Sequence, residues 1–316
     1  MQQSEHQIGV FAAVGAYLIW GVLPLYWKLL EPVSAGEVLA HRIVWSLVIM
    51  MLILTVKRQL HSSWKELVHI FTHYRTALGI ILASCVITLN WFVFIWAVNS
   101  DRVIEASLGY YINPLINVLL AAIFLKERFT RWQSLSVGLA FVGVATMTFF
   151  YGVVPWAALF LAFSFAIYGL IKKMVNAGAM VGLTIETLLM TPFALLFLAW
   201  LYNQPTYNQA FVSWQNETTW LLIGAGAVTA IPLLLFAIGA RRISFSLIGF
   251  LQYLAPTIML MIGIFLYNEP FSQIQFLAFS FIWLGLFIFT TSKTVIFQKI
   301  TKRLFKKKME HEPKAS

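Results

Sequence analysis

Charge is what this sequence has least of. Asp, Glu, Lys and Arg make up 11% of its 316 residues, whereas a typical soluble domain carries about 25%. With 60% hydrophobic residues and a mean hydropathy of +0.81, the chain has more apolar surface than one aqueous core hides. That excludes an ordinary soluble domain. Cysteine is represented by Cys85 alone, which excludes an internal disulfide. The GxxxxGK[ST] loop that cradles nucleotide phosphates is missing, so the chain carries no nucleotide-driven motor of its own. No His, Cys, Asp and Glu group has metal-ligand spacing; His61, His69 and His73 share one loop and read as surface residues. HExxH and the nucleophile elbow are absent as well. No catalytic residue, metal or cofactor is therefore expected. The opening MQQSEHQ lacks Lys and Arg, and the first apolar run is too long for a signal-peptide core, so the first helix reads as an uncleaved anchor.

What the chain does have is ten apolar segments, at 8–27, 36–56, 76–98, 103–125, 132–149, 155–171, 180–201, 218–238, 243–266 and 272–292. Each approaches the roughly 20 residues that a helix needs to cross about 30 Å of hydrocarbon. Membrane β-strands need only about 10, so these runs predict helices. The fold class is all-α, a polytopic membrane protein of ten spans.

Basic residues set the expected orientation. Lys57, Arg58, Lys65 and Arg75 follow the second span; Lys126, Arg128 and Arg131 follow the fourth. Lys172 and Lys173 follow the sixth, Arg241 and Arg242 the eighth, and the tail from Lys293 to Lys314 holds eight more. The opposite loops hold Lys28 and Arg102. This positive-inside bias places both termini in the cytoplasm. It also explains the net charge of +10 without nucleic acid: the charge is distributed by side of the membrane, not gathered into a nucleic-acid patch. Leu60, Trp64, Leu67, Val68 and Phe71 share one helical face in the loop after the second span, predicting a short helix on the inner membrane surface. The basic tail, 293–316, serves either as a tether to anionic lipid or only as a topology signal.

The chain also repeats itself. The stretch LGYYINPLINVLLAAIFLKE (108–127) returns as LQYLAPTIMLMIGIFLYNE (251–269). Pro256 follows Pro114 by 142 positions, and the pairs Glu127/Glu269, Gly143/Gly285, Tyr110/Gln252 and Tyr111/Tyr253 keep the same offset. Repetition across the whole apolar length indicates two copies of one unit. Five spans are an odd number, so the second copy enters the bilayer upside down. The basic residues after the fourth span have no counterpart after the ninth, as this inversion requires. The expected organisation is 1–150 and 151–292 as inverted five-helix repeats, with 293–316 as a cytoplasmic tail. Inverted repeats are a recurring architecture of secondary transporters, with substrate held near the midplane between the halves.

Polar side chains inside these spans are the functional candidates. Arg42, with His41 beside it, lies two turns into the second span, and Glu186 two turns into the seventh, at mirrored depths. A mid-bilayer charge costs about 2.5–3.5 kcal/mol or more, so each must face a cavity or a partner. Two readings stand: substrate binding or coupling, and a bridge between helices. Glu105, one turn into the fourth helix, is either such a functional group or an interface residue reached by solvent. Glu37 and Lys28, near the outer surface, are expected to snorkel. Asn90, Trp91, Tyr110, Tyr111, Asn113, Asn117 and Gln252 either line a water-filled cavity or join helices by hydrogen bonds. Pro114 and Pro256 break the backbone ladder, giving hinges or fixed bends. Tyr17, Trp20 and Tyr168 stack on a flat ligand or pack against lipid, with Trp20-Gly21 and Tyr168-Gly169 as rough counterparts. Trp27 and Trp214 are placed in the interfacial belt.

The segments GAYLIWGVLPLYWK (15–28), HRIVWS (41–46), NWFVFIWAVNSDRVIEASLGYYINPL (90–115) and FLQYLAPT (250–257) resemble the EamA-type permeases of the drug/metabolite transporter superfamily. The resemblance runs from about residue 8 to 292. It implies a ten-helix carrier of the bacterial inner membrane, exporting a drug or metabolite through a cavity built by the first, third, fourth, sixth, eighth and ninth helices. Trp20, Asn90, Trp91, Tyr110, Asn113, Tyr168 and Gln252 fall on those helices; Arg42 and Glu186 do not. The partners implied are a small-molecule substrate and the lipid bilayer, with a homodimer left open. The rival class is a non-transporting membrane enzyme or scaffold, for which the sequence shows no catalytic constellation.

Overall fold

The computed structural model describes residues 2–124, 130–151, 154–175, 179–205, 207, 210–211, 213–240, 242–243 and 251–292. Glu127, the stretch 244–250, Lys126, Arg128, Arg241 and the basic tail lie outside them. The described residues form an all-helical protein. Its helices are α1 (Gln2–Lys28), α2 (Ala35–Val56), α3 (Leu60–Thr72), α4 (Tyr74–Asn99), α5 (Val103–Phe124) and α6 (Arg131–Tyr151). They continue as α7 (Trp156–Val175), α8 (Ala179–Tyr202), α9 (Glu217–Ala240), α10 (Leu254–Met261) and α11 (Gln273–Ser292).

Most of these helices are apolar all round, which suits a hydrocarbon solvent rather than an aqueous one. Six of them among the described residues are long and apolar enough to cross a bilayer, and Ser134–Phe150, Trp156–Lys172 and Leu254–Leu266 are shorter apolar helices. Large apolar side chains cover the outside: Phe149 is 82% exposed, Phe11 76% and Phe141 73%. In water such a surface would drive aggregation; against acyl chains it costs nothing. This is a multi-pass membrane protein.

Helix α3 differs. Leu60, Trp64, Val68 and Phe71 stay exposed along one face, while Ile70 is buried towards α4 and α8. The short helix read from the sequence forms; four residues of its apolar stripe are left uncovered by protein, and the fifth, Leu67, is half-buried against Ile70, Ile80 and Ile185.

The ninth apolar segment departs from expectation. Instead of one helix with a proline in its middle, the described part turns at Gln252 and Tyr253 and starts α10 at Leu254. Pro256 thus sits in a first turn, where a missing N–H goes unneeded. Helix α10 runs into a π-helical turn, Ile262–Leu266. Pro114 does lie inside α5, but so do Pro24 in α1, Pro192 in α8 and Pro232 in α9.

Two larger clusters form the core. One gathers Trp27, Val38, Phe94, Val98, Leu161 and Leu222 from α1, α2, α4, α7 and α9. The other gathers Leu108, Ile112, Ala162, Phe279 and Ile282 from α5, α7 and α11. Helices α4 and α5 pack on α7; α1 packs on α9 and α10. Helix α2 packs on α8 and α9, α4 also meets α8, α5 meets α10, and α6 pairs with α11.

Candidate functional site

The site is organised around Arg42. Helix α2 begins at a capped turn, where Ser34 Oγ accepts the Glu37 N–H at 3.3 Å. Two turns on, Arg42 is 5% exposed. Its Nε donates to Thr229 Oγ1 of α9 at 2.9 Å. Its guanidinium lies over the Trp91 ring of α4 at 4.2 Å and over the Trp27 ring of α1 at 5.0 Å. Four helices therefore meet at one cation. Ring faces stabilise a desolvated guanidinium by about 2 kcal/mol, which offsets part of its burial. No acidic group of the described residues lies within 4 Å of it. Trp27, expected in the interfacial belt, is fully buried beneath this cation, whereas Trp214 is 65% exposed.

Before Arg42 on α2, Glu37 and His41 are held by hydrogen bonds. Glu37 was expected to snorkel, yet it is completely buried. Tyr202 donates to one of its oxygens at 2.7 Å and Tyr207 to the other at 2.5 Å. These donors satisfy the carboxylate where it stands, so it has no need to reach water. His41 Nε2 sits 2.9 Å from the Tyr202 hydroxyl, and its ring stacks on Phe211, centroids 4.9 Å apart. Burial raises the pKa of the Tyr207 phenol, and the Glu37 carboxylate raises it further, so this hydroxyl keeps its proton. Lys28 joins Asp101 at 2.8 Å and Glu31 at 3.2 Å.

Glu186 lies on the other half. It is 2% exposed, pairs with Lys172 Nζ of α7 at 2.7 Å and accepts the Tyr168 hydroxyl at 3.0 Å. The two mirrored charges thus do not meet, and Lys172, placed by the sequence as a topology residue, is also a counter-ion. Glu105 accepts the Ala157 N–H at 2.8 Å, at the start of α7, and lies 3.3 Å from Arg102. Glu269 accepts Val103 N–H at 2.6 Å and Ile104 N–H at 2.8 Å, at the start of α5. A carboxylate suits a helix N-terminus, where unpaired N–H groups and the macrodipole meet it. Nothing in the sequence marked these two anchoring contacts, because each joins helices distant along the chain.

The amides turn inward to protein. Asn90 donates to Leu161 O at 3.1 Å and Ser164 Oγ at 2.8 Å, and Asn113 donates to Ala162 O at 3.0 Å, so both tie their helices to α7. Asn117 donates to Asn113 Oδ1 at 3.1 Å. Tyr110 packs edge-on to Phe94 and Phe165 and lies within electrostatic reach of Arg42. Trp20 is half-buried between Tyr17 and Phe236. Gln252 is half-buried at the turn before α10. Arg42, Trp91 and Tyr110 are thus brought together; Tyr168 and Glu186 form a separate pair; Trp20, Glu105 and Gln252 stand apart from both.

The model of the EamA-like transporter family matches residues 7–149 and again 154–291. The chain is 47% identical over 295 residues to "Uncharacterized transporter YojE" of Bacillus subtilis, covering 93% of this chain and 97% of that one. It is 40% identical over 291 residues to "Protein RarD" of Escherichia coli K12, covering 92% and 96%. A more distant relative at 29% identity, covering 89% and 92%, is "Chloramphenicol-sensitive protein RarD" of Pseudomonas aeruginosa. One solved crystal structure shares the fold, with a TM-score of 0.56 at 18% identity over 92% of this chain and 98% of that one.

Proposed function

Because the chain belongs to the EamA-like transporter family, within its RarD group, we propose that it is a secondary active transporter exporting a small metabolite or drug across the bacterial inner membrane. Two five-helix units, 1–150 and 151–292, enter the bilayer in opposite senses and alternate the exposure of a site between them. Both termini and the basic tail, 293–316, are cytoplasmic.

The observation that carries this reading is the pattern of helix packing. Exchange each helix of the first unit for its counterpart in the second: α1 for α7, α2 for α8, α4 for α9, α5 for α10 and α6 for α11. The contacts α4–α7 and α5–α7 then become α9–α1 and α10–α1; α2–α9 becomes α8–α4; and α2–α8, α5–α10 and α6–α11 map onto themselves. A twofold axis in the membrane plane produces this exchange, and alternating access uses it to convert one open state into the other. Trp20, Trp91, Tyr110 and Tyr168 supply ring faces to the chamber, and Gln252 an amide. Asn90 and Asn113 hold its wall together. Arg42 and Glu186 are the charged groups that substrate or coupling proton meets, Glu105 fixes the outer end of α7, and Pro114 and the break before Pro256 flex.

The test is reconstitution in liposomes with and without a pH gradient, screening chloramphenicol, aromatic compounds and amino acids. The expected result is gradient-dependent flux that Arg42→Ala and Glu186→Gln each abolish while remaining membrane-inserted. Absence of flux from correctly oriented wild-type protein for every class would favour a non-transporting membrane protein instead.

A further inference from the structure

Among the described residues seven buried polar side-chain atoms have no hydrogen-bond partner; Asn99, Thr219 and Tyr253 carry three of them at separate places, and the other four lie on α1 and α2. Those four are Trp27 Nε1, Arg42 Nη1, Trp45 Nε1 and Ser46 Oγ. Arg42 stands over the Trp27 ring, and Trp45 and Ser46 follow Arg42 by three and four positions on α2, the spacing that stacks side chains on one helical face. The first three atoms can only donate, and the serine hydroxyl can also donate. Elsewhere in this chain buried charges are satisfied from within: Glu186 by Lys172 and Tyr168, Glu37 by two tyrosines. Arg42 is buried to a similar degree, and among the described residues its hydrogen-bond partner is the neutral Thr229 hydroxyl, with two indole faces and no acidic group beside it.

We propose that this cluster of donors on α2 and α1 is the anion subsite of the carrier, and that its ligand is a small organic monocarboxylate with an apolar or aromatic body. The proposal rests on the transporter reading above and names its substrate class. A carboxylate is acceptor-only and has two oxygens, which suits a planar guanidinium edge flanked by other donors. A single negative charge follows from charge balance. One unpaired cation in a low-dielectric setting neutralises one anion, while a phosphate dianion would leave a charge buried there. The apolar body follows from what surrounds the cation: the rings of Trp27 and Trp91, over which it lies. These donors have no partner in the protein, so an acceptor that reaches them breaks no existing hydrogen bond; because the atoms are buried, side chains part to admit it.

The experiment uses the full-length protein in nanodiscs at neutral pH. Binding is measured by thermal shift and microscale thermophoresis for acetate, benzoate, phenylacetate and indole-3-acetate, each beside its uncharged amide, with inorganic phosphate as a further probe. At least one acid should bind saturably and at least tenfold tighter than its amide, with phosphate no better than acetate. Arg42→Gln should abolish that preference, Arg42→Lys should keep part of it, and Trp45→Phe should weaken the acid several-fold and the amide less. Should Arg42→Gln fail to fold, Arg42→Lys and Trp45→Phe decide the matter. The proposal is overturned if acids and amides bind alike, if no acid binds, if phosphate binds best, or if the variants match wild type. Carboxylate binding without flux in liposomes would sink the transporter reading alone. Flux of neutral compounds only, with no acid preference, would sink this subsite alone.

Discussion

Tyr111 and Tyr253 stack on each other, ring centroids 6.4 Å apart and planes 16° from parallel. They are also equivalent positions of the internal repeat, 142 residues apart. Equivalent residues touch only where a twofold axis passes between them, so the α5–α10 contact lies on the axis of the proposed inverted repeat. A second contact agrees. A Cβ on Gly143 would meet Ala278 O at 2.7 Å, and a Cβ on Gly285 would meet Ser136 O at 2.8 Å. Shifting the first contact by 142 positions yields the second. The index rises along α6 as it falls along α11, so the two helices run antiparallel.

These glycines make the first prediction. Small residues let membrane helices approach closely where no aqueous hydrophobic effect drives association. Gly143→Leu and Gly285→Leu should each destabilise the folded protein by about 1–3 kcal/mol through overpacking. The control is Gly138→Leu on the same helix as Gly143, because a Cβ there meets nothing within 4 Å. Thermal midpoints in detergent check it: equal losses at all three positions would deny the close α6–α11 contact.

The Lys172–Glu186 pair, 2.7 Å apart, separates a strut from a coupling group. Glu186→Gln leaves a buried cation without its counter-ion and should cost about 3 kcal/mol. Replacing both residues by apolar ones of similar size, Lys172→Met with Glu186→Leu, should restore most of that stability. If the carboxylate couples transport, flux stays absent in the double variant although the fold recovers. Normal flux from the double variant would make the pair a bridge and nothing more.

Glu269 predicts a pH effect. Burial raises its carboxyl pKa from the ordinary 4.5, and the Ile104 and Val103 N–H groups pull it part of the way back. The folded chain then binds this proton more tightly than the unfolded chain does. Stability from this group is therefore fully present below pH 4.5 and is lost as pH rises through the raised value. Glu269→Gln should flatten that part of the unfolding profile, and Glu269→Ala should cost about 1–2 kcal/mol by uncapping α5. A wild-type profile that rises with pH over the same range, or one identical to that of Glu269→Gln, would reverse the assignment.

The closure over Glu37 is testable in the same way. Tyr202→Phe and Tyr207→Phe each remove one donor from a carboxylate that is 0% exposed. Hydrogen bonds to charged groups contribute about 1.5–3 kcal/mol, so each variant should lower stability by an amount in that range. The double variant should depart from the sum of the single losses, because both hydroxyls bond the same carboxylate. Midpoints in a two-by-two cycle measure this, and strictly additive losses would show that the two tyrosines act independently.

Much of this was legible without coordinates, and the reasons are physical. Helices, their lengths and the membrane as solvent follow from composition, because a backbone in hydrocarbon has to bond within its own segment. The short surface helix at Leu60–Thr72 followed from apolar spacing. The repeat followed from prolines, glycines and aromatics recurring at one offset. Pro256 misled, because a proline in the middle of a long apolar run reads as a kink and no local signal says that the helix starts two residues before it. Glu37 misled for a related reason: the two hydroxyls that allow its burial stand 165 and 170 positions away.

By itself, then, the sequence determined the solvent, the helices and the existence of two related halves, all of which depend on residue type and local period. Only the tertiary structure decided which buried polar groups are satisfied: Glu186 by a lysine of the neighbouring helix, Asn90 and Asn113 by the backbone of α7, and Arg42 by one hydroxyl and two indole faces. That outcome depends on how each helix is rotated about its own axis. Packing between segments distant along the chain sets that rotation, and hydropathy, which is nearly the same all round these helices, leaves no trace of it.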